Sequence, residues 1–206
     1  MPLRTRMRPL KRFYWTKGRK LQMSYITTYT GHHFDPTQPD PELILIEDIA
    51  HALSMLCRGN GHVSSFWSVG EHCICCAKEA MGRGFSDKIV LACLLHDSSE
   101  CYMSDVPRPI KQEMKEYQRQ EDKLLNVVYE KFLGNTLTAD EEKQLKEVDD
   151  DLLWYDLEIL LGEKQDTEKP EIHIDLDYKV RPFETVEKEY LKLFTEIKSR
   201  LESKEI

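Results

Sequence analysis

The chain has 206 residues, with 40% apolar residues and a formal charge of −8. That length suits one domain with a sizeable core, and no apolar run approaches the ~20 residues of a membrane span. The charge is uneven: residues 1–22 hold eight Lys/Arg and no acid, which leaves an acidic body without the basic footprint of a nucleic-acid binder.

The first 22 residues read as a disordered basic extension ahead of a domain over residues 23–206. They lack the apolar stretch of a secretory signal. Tyr25 to Thr30 is β-branched and aromatic, which predicts a short strand. Gly31 to Pro36 turns the chain, and Pro36, Pro39 and Pro41 keep the next stretch extended. A first helix is predicted over Ile46 to Leu56, with Ile49, Leu53 and Leu56 on one face. Arg58-Gly59-Asn60-Gly61-His62 interrupts it.

Ser68 starts a second helix, with Glu71 three residues on as a capping box, and this helix runs to about Met81. Ser86-Asp87 opens a third, whose apolar run Ile89 to Leu95 leads into His96-Asp97. Ser104 to Lys111 is a proline-punctuated loop. A long polar helix is predicted from about Pro109 to Phe132 and stopped at Gly134. Thr138 caps another, to about Leu161. Residues 163–180 read as an irregular connection. A last amphipathic helix covers about Pro182 to Leu201, with Val186, Tyr190, Leu193, Phe194 and Ile197 as its stripe. The expected class is all-α with a short irregular or β-like N-terminal arm.

Six cysteines sit between positions 57 and 101. This is unlike a spread disulfide framework, and it predicts reduced thiols in a cytoplasmic protein. Cys73, Cys75 and Cys76 stand at i, i+2 and i+3, so they cannot all face one metal. With no second C-x-x-C pair, a structural zinc held by thiolates is not expected.

The chemistry concentrates where apolar runs meet polar groups. His96 and Asp97 end a run dense enough to be core, and burying them unpartnered would be costly. A divalent metal resolves that cost, since it takes neutral imidazoles and ionised carboxylates. His72, one turn before Cys76 on the second helix, supplies another imidazole. A fourth ligand should be an acid facing the core from a later helix. Among Asp149, Asp150 and Asp151, only Asp149 lies on the stripe Leu145, Val148, Leu152, Tyr155 and Ile159, and Asp156 is the second choice. The predicted site is therefore His72, His96, Asp97 and Asp149. It is a mixed N/O set suited to one divalent transition metal such as Mn, Co, Fe, Ni or Zn.

These residues resemble the H…HD…D signature of the HD-domain metal-dependent phosphohydrolases. Ser68 to His72, His96 to Glu100, Ser104 to Lys111 and Lys146 to Asp149 are similar to the bacterial 5′-deoxynucleotidase branch, and related phage proteins hydrolyse deoxynucleoside triphosphates. The resemblance spans roughly residues 46–161 and implies an HD-type helical bundle, a nucleotide substrate and a homo-oligomer. It implies Glu100, and next Asp105, as the group that orients water or shuttles its proton. It also implies Arg58 and Lys111 as phosphate clamps; Trp67, by stacking on a base, and His62, beside Arg58, are further candidate substrate contacts, with packing at the helix start for Trp67 and a surface position for His62 as the alternatives. In the nucleotidase branch an Arg-Trp pair precedes the first His, whereas here Arg58 is followed by Gly59 and Trp67 lies elsewhere. The expected activity is that of a nucleoside 5′-monophosphate phosphatase. A deoxynucleoside triphosphate triphosphohydrolase and an inactive metal-binding regulatory protein are the alternatives.

Overall fold

The computed structural model describes residues 25–203, so the predicted basic extension lies outside it. It shows an all-α fold with a short β-like arm. The helices in chain order are α1 (Ile46–Met55), α2 (Val69–Gly82), α3 (Asp87–Leu95), α4 (Glu100–Met103), α5 (Arg108–Lys111), α6 (Lys115–Leu133), α7 (Ala139–Leu160) and α8 (Phe183–Ser203). Two 3₁₀ turns, Pro41–Leu43 and Arg58–Gly61, sit in the connections. No helix among the described residues is long and apolar enough to cross a membrane.

α3 sets the arrangement. Ile89 to Leu95 are all buried, and a helix apolar on every side has to be surrounded. α2, α6, α7 and α8 all pack against it, and α1 lies against α2 and α8. α2 starts where the sequence predicts. The Ser68 hydroxyl accepts the Glu71 N–H while the Glu71 carboxylate accepts the Ser68 N–H, a complete capping box. Such a cap contributes about 1 kcal/mol and fixes the first turn, which carries His72. α7 has the same device in Thr138 and Glu141. The stripe of α8 is buried at all five expected positions.

The arm differs from the expected strand. Only Ile26–Thr27 is extended, paired antiparallel with His33–Phe34. The hairpin is anchored by Thr30, whose N–H and hydroxyl donate to the Asp48 carboxylate at 2.7 and 2.9 Å. Phe34 is fully buried and its ring lies 4.4 Å from that of Tyr102. Side-chain anchoring thus does the work that a longer ladder would.

Two expected boundaries and one stripe position are corrected. The long polar helix is two helices, because the chain breaks at Gln112–Met114 and Met114 takes φ −100°, ψ 66°. α3 ends at Leu95, so His96 caps it and Asp97 lies in the following turn. On α7, Ile159 is 46% exposed and Leu160 is the buried residue. The irregular connection before α8 is observed, and it is tied down: Tyr155 Oη donates to the Pro170 carbonyl, and His173 donates its N–H to buried Glu79.

Candidate metal centre

α2, the turn after α3 and α7 bring their polar groups to one point. His72 Nε2 is 2.9 Å from Asp149 Oδ1, and His96 Nε2 is 3.6 Å from the same oxygen. His96 Nε2 is also 3.2 Å from Asp97 Oδ2. The four ligands predicted from sequence therefore form an unbroken chain of contacts. Asp150 points outward and pairs with Lys146, as its helical position requires.

The orientation of both rings matches what a metal ligand needs. His96 donates its Nδ1–H to the Cys93 carbonyl at 2.8 Å, and His72 donates its Nδ1–H to Asp156 at 3.1 Å. Each ring is thereby fixed so that Nε2 faces the carboxylates, the arrangement in which outer partners orient metal-bound histidines. Asp156, the second-choice ligand, is not in the cluster. It accepts from His72, from Arg58 at 3.2 Å and from Tyr178 Oη at 2.9 Å, so it acts as the orienting acid.

Two buried atoms, His96 Nε2 and Asp97 Oδ2, have no hydrogen-bond partner within the protein. Buried polar atoms are rarely left so. Burial opposes ionisation of Asp97, but the His96 charge and then Arg58 outweigh it and hold its carboxyl down at about 2. Burial likewise opposes protonation of His96, yet the Asp97 charge raises its pKa well above the usual imidazole value. Asp149 is held well below the carboxylate range: burial resists, and the hydrogen bond from His72 and then the nearby His96 charge prevail. The centre thus gathers anions that demand positive charge. A divalent cation supplies that charge while leaving the imidazoles neutral, so the donor set fits a metal ion. The clusters could bind one.

Around this centre lie the other predicted residues. Arg58 reaches both Asp97 (3.6 Å) and Asp156, which places its charge at the site. Glu100 begins α4, is 7% exposed, and its Oε2 lacks a hydrogen-bond partner. Burial, then the charges of Asp97 and Asp105, push its pKa up to about 9, so the carboxyl is neutral at pH 7. Asp105 follows Ser104, a non-glycine residue at φ +73°, a strained conformation typical of functional turns. Lys111 pairs with Glu121 at 2.8 Å, and its charge is felt by Glu100. A cleft of about 460 Å³ opens beside Glu100, lined also by Ala52, Met55, Leu56 and Met103.

Two expected substrate contacts are placed elsewhere. Trp67 is 3% exposed and packs on Tyr178, ring centroids 4.7 Å apart, so it offers no free face to a base. His62 is exposed in its loop and is not among the groups gathered at the centre. Sequence reasoning missed Tyr178, because nothing in an irregular charged connection marks one tyrosine as reaching a buried acid. It also set the cysteines aside, yet Cys76 and Cys73 both border the centre.

The comparisons with known proteins give relatives without assigned functions. The chain is 36% identical over 110 residues to the uncharacterized protein YfdR of Escherichia coli K12, covering 53% of this chain and 59% of that protein. It is 34% identical over 127 residues to an uncharacterized protein of Rhodobacter capsulatus, covering 58% of this chain and 64% of that one. The chain thus spans about three fifths of the length of the curated relatives it matches. No family model matches it.

Proposed function

We propose that this protein is a metal-dependent phosphohydrolase of the HD type, acting on nucleotides as a nucleoside 5′-monophosphate phosphatase. The observation that carries the reading is the cluster of His72, His96, Asp97 and Asp149, with Arg58 against Asp97 and the buried, unpartnered carboxyl of Glu100 beside it. His72, His96, Asp97 and Asp149 would hold one divalent transition metal. When bound, such an ion polarises a phosphoryl oxygen and lowers the pKa of water.

The chain's own residues do the rest. Arg58 offers a planar fork to phosphate oxygens and Lys111 a point charge. In the proposed reaction the water oxygen bonds to phosphorus as the bond to the 5′-oxygen breaks. Glu100, whose pKa is raised by burial, Asp97 and Asp105, would deliver its proton to that leaving oxygen, and the proton released by the attacking water would pass to the new phosphate and from there restore Glu100. The cleft beside Glu100 is of a size that takes a nucleoside. A homo-oligomeric state and a cytoplasmic location belong to the same reading.

The test is a panel of mono-, di- and triphosphates of both sugars, assayed with Mn or Co and with product identification. Phosphate release from at least one monophosphate is expected, and His96→Ala or Asp97→Ala should abolish it. Tripolyphosphate as product would move the assignment to the triphosphohydrolase. A metal-loaded protein that hydrolyses nothing would leave the binding or regulatory role.

A further inference from the structure

The thiol of Cys76 stands among the metal donors. It lies on α2 one turn after His72, and its Sγ is 3.4 Å from His72 Nε2. Donor atoms of His72, Cys76, His96 and Asp149 all lie within 4.8 Å of one another. A tetrahedral zinc with ordinary N, O and S bonds has donor–donor edges of roughly 3.3–3.8 Å. The edges present here are 2.9 Å from His72 to Asp149, 3.4 Å from His72 to Cys76 and 3.6 Å from His96 to Asp149. Small side-chain adjustments would therefore close the four groups on one ion. Cys73 is different: it groups with His96 and Asp97 and not with His72 and Asp149. Cys75, on the same helix, is in neither group.

We propose that Cys76 is a sulfur ligand of this metal centre, closing a four-donor set with His72, His96 and Asp149 while Asp97 lies beside it against His96, and that it makes the centre select a thiophilic ion such as zinc over manganese. A helix places residues i and i+4 on one face, so His72 and Cys76 form a rigid bidentate pair. Thiolate is a soft donor that favours zinc and does little for manganese, which prefers oxygen. The proposal rests on the metal reading of the site but not on hydrolase activity.

Cobalt(II) titration of the metal-free full-length chain separates these readings. A sulfur-to-cobalt charge-transfer band in the near ultraviolet is expected alongside the visible d–d bands. Cys76→Ser should remove the charge-transfer band and keep the d–d bands, while Cys73→Ser should leave both. The preference for zinc over manganese in competition should narrow by about tenfold or more in Cys76→Ser. Visible bands without a sulfur band in the wild type would overturn the proposal and leave the metal centre standing. Loss of the sulfur band in Cys73→Ser but not Cys76→Ser would overturn it too, and no cobalt binding at all would remove both readings. X-ray absorption of the zinc-loaded wild type checks for a sulfur neighbour without any variant.

Discussion

Asp156 holds three donors at once: an imidazole, a guanidinium and a phenol. Replacing it with Asn keeps the shape and removes the charge that fixes His72 and Arg58. Metal affinity should fall 10- to 100-fold, the usual effect of losing such a partner. Tyr178→Phe removes one donor and leaves the carboxylate, so its loss of affinity should be smaller. Chelator competition measures both, and wild-type affinity in Asp156→Asn would count against its orienting role. Glu100 supports a prediction of opposite sign for stability. In the unfolded chain its carboxyl ionises near the ordinary 4.5, whereas in the fold it keeps its proton up to about 9, set by burial, Asp97 and Asp105 against Arg58 and Lys111. Between those values the folded state binds more protons than the unfolded, so its contribution to stability falls as pH rises. Glu100→Gln carries no such penalty. The metal-free variant should melt above wild type at neutral pH, with the gap widening from about pH 5 to 9, while turnover drops about 10²- to 10⁴-fold. Melting curves that track wild type at every pH would contradict this. That these four side chains would meet was legible because helical period singles out Asp149 and an apolar run ending in His-Asp is conspicuous. The orienting role of Asp156 was not, since periodicity places a side chain on a face but does not say which atom of His72 it meets.

At the scale of the elements, the site depends on a strap. The connection from α7 to α8 carries Tyr178 to Asp156, and it is pinned to α2 through His173 and Glu79. α2 accommodates it with Gly82, where a Cβ would sit 2.6 Å from His173 Cβ. Alanine is the better helix former by about 1 kcal/mol. The clash is with the root of a side chain held on both sides by the chain, which no rotamer change relieves. Overpacking of this kind costs about 1–3 kcal/mol, and undocking the strap gives up the bonds to Glu79 as well. Gly82→Ala should therefore be destabilising, seen as a lower denaturant midpoint, and should open the connection to protease. An unchanged or raised midpoint would mean that the strap is slack. The helices were readable in proportion to their signals. Capping boxes located the starts of α2 and α7, and the apolar stripe located α8. The break between α5 and α6 carried no signal, because a polar stretch has no hydrophobic period whose phase could slip. The short strand of the arm was readable from its β-branched residues, but its length was not, because side-chain anchoring of Thr30 to Asp48 ends the ladder after Ile26–Thr27.

The whole molecule is built around a charge problem. The all-α class followed from periodicity, but which helices surround α3 did not, since an amphipathic stripe names a buried face without naming its neighbour. The fold converges three acids of the centre, Asp97, Asp149 and Asp156, on two imidazoles and Arg58. In the metal-free protein the carboxylates favour protons on His72 and His96, raising both rings in pKa against the cost of burial and, for His72, against the Arg58 charge. A cation bound there would displace those protons and would bind the folded state alone, because only folding brings α2, α3 and α7 together. Linkage then makes metal binding a stability term: at 100 times its dissociation constant a ligand adds about 2.7 kcal/mol. For a chain of this size that corresponds to a melting shift of roughly 5–10 °C. Zinc or cobalt should raise the melting temperature by that order, chelator should reverse it, and the shift should shrink at low pH as protons compete for the imidazoles. His96→Ala should lose the shift while keeping a cooperative transition. Coincident melting curves with metal and with chelator would show that the cluster is an ion-pair network and would remove the basis for the metal-dependent activity.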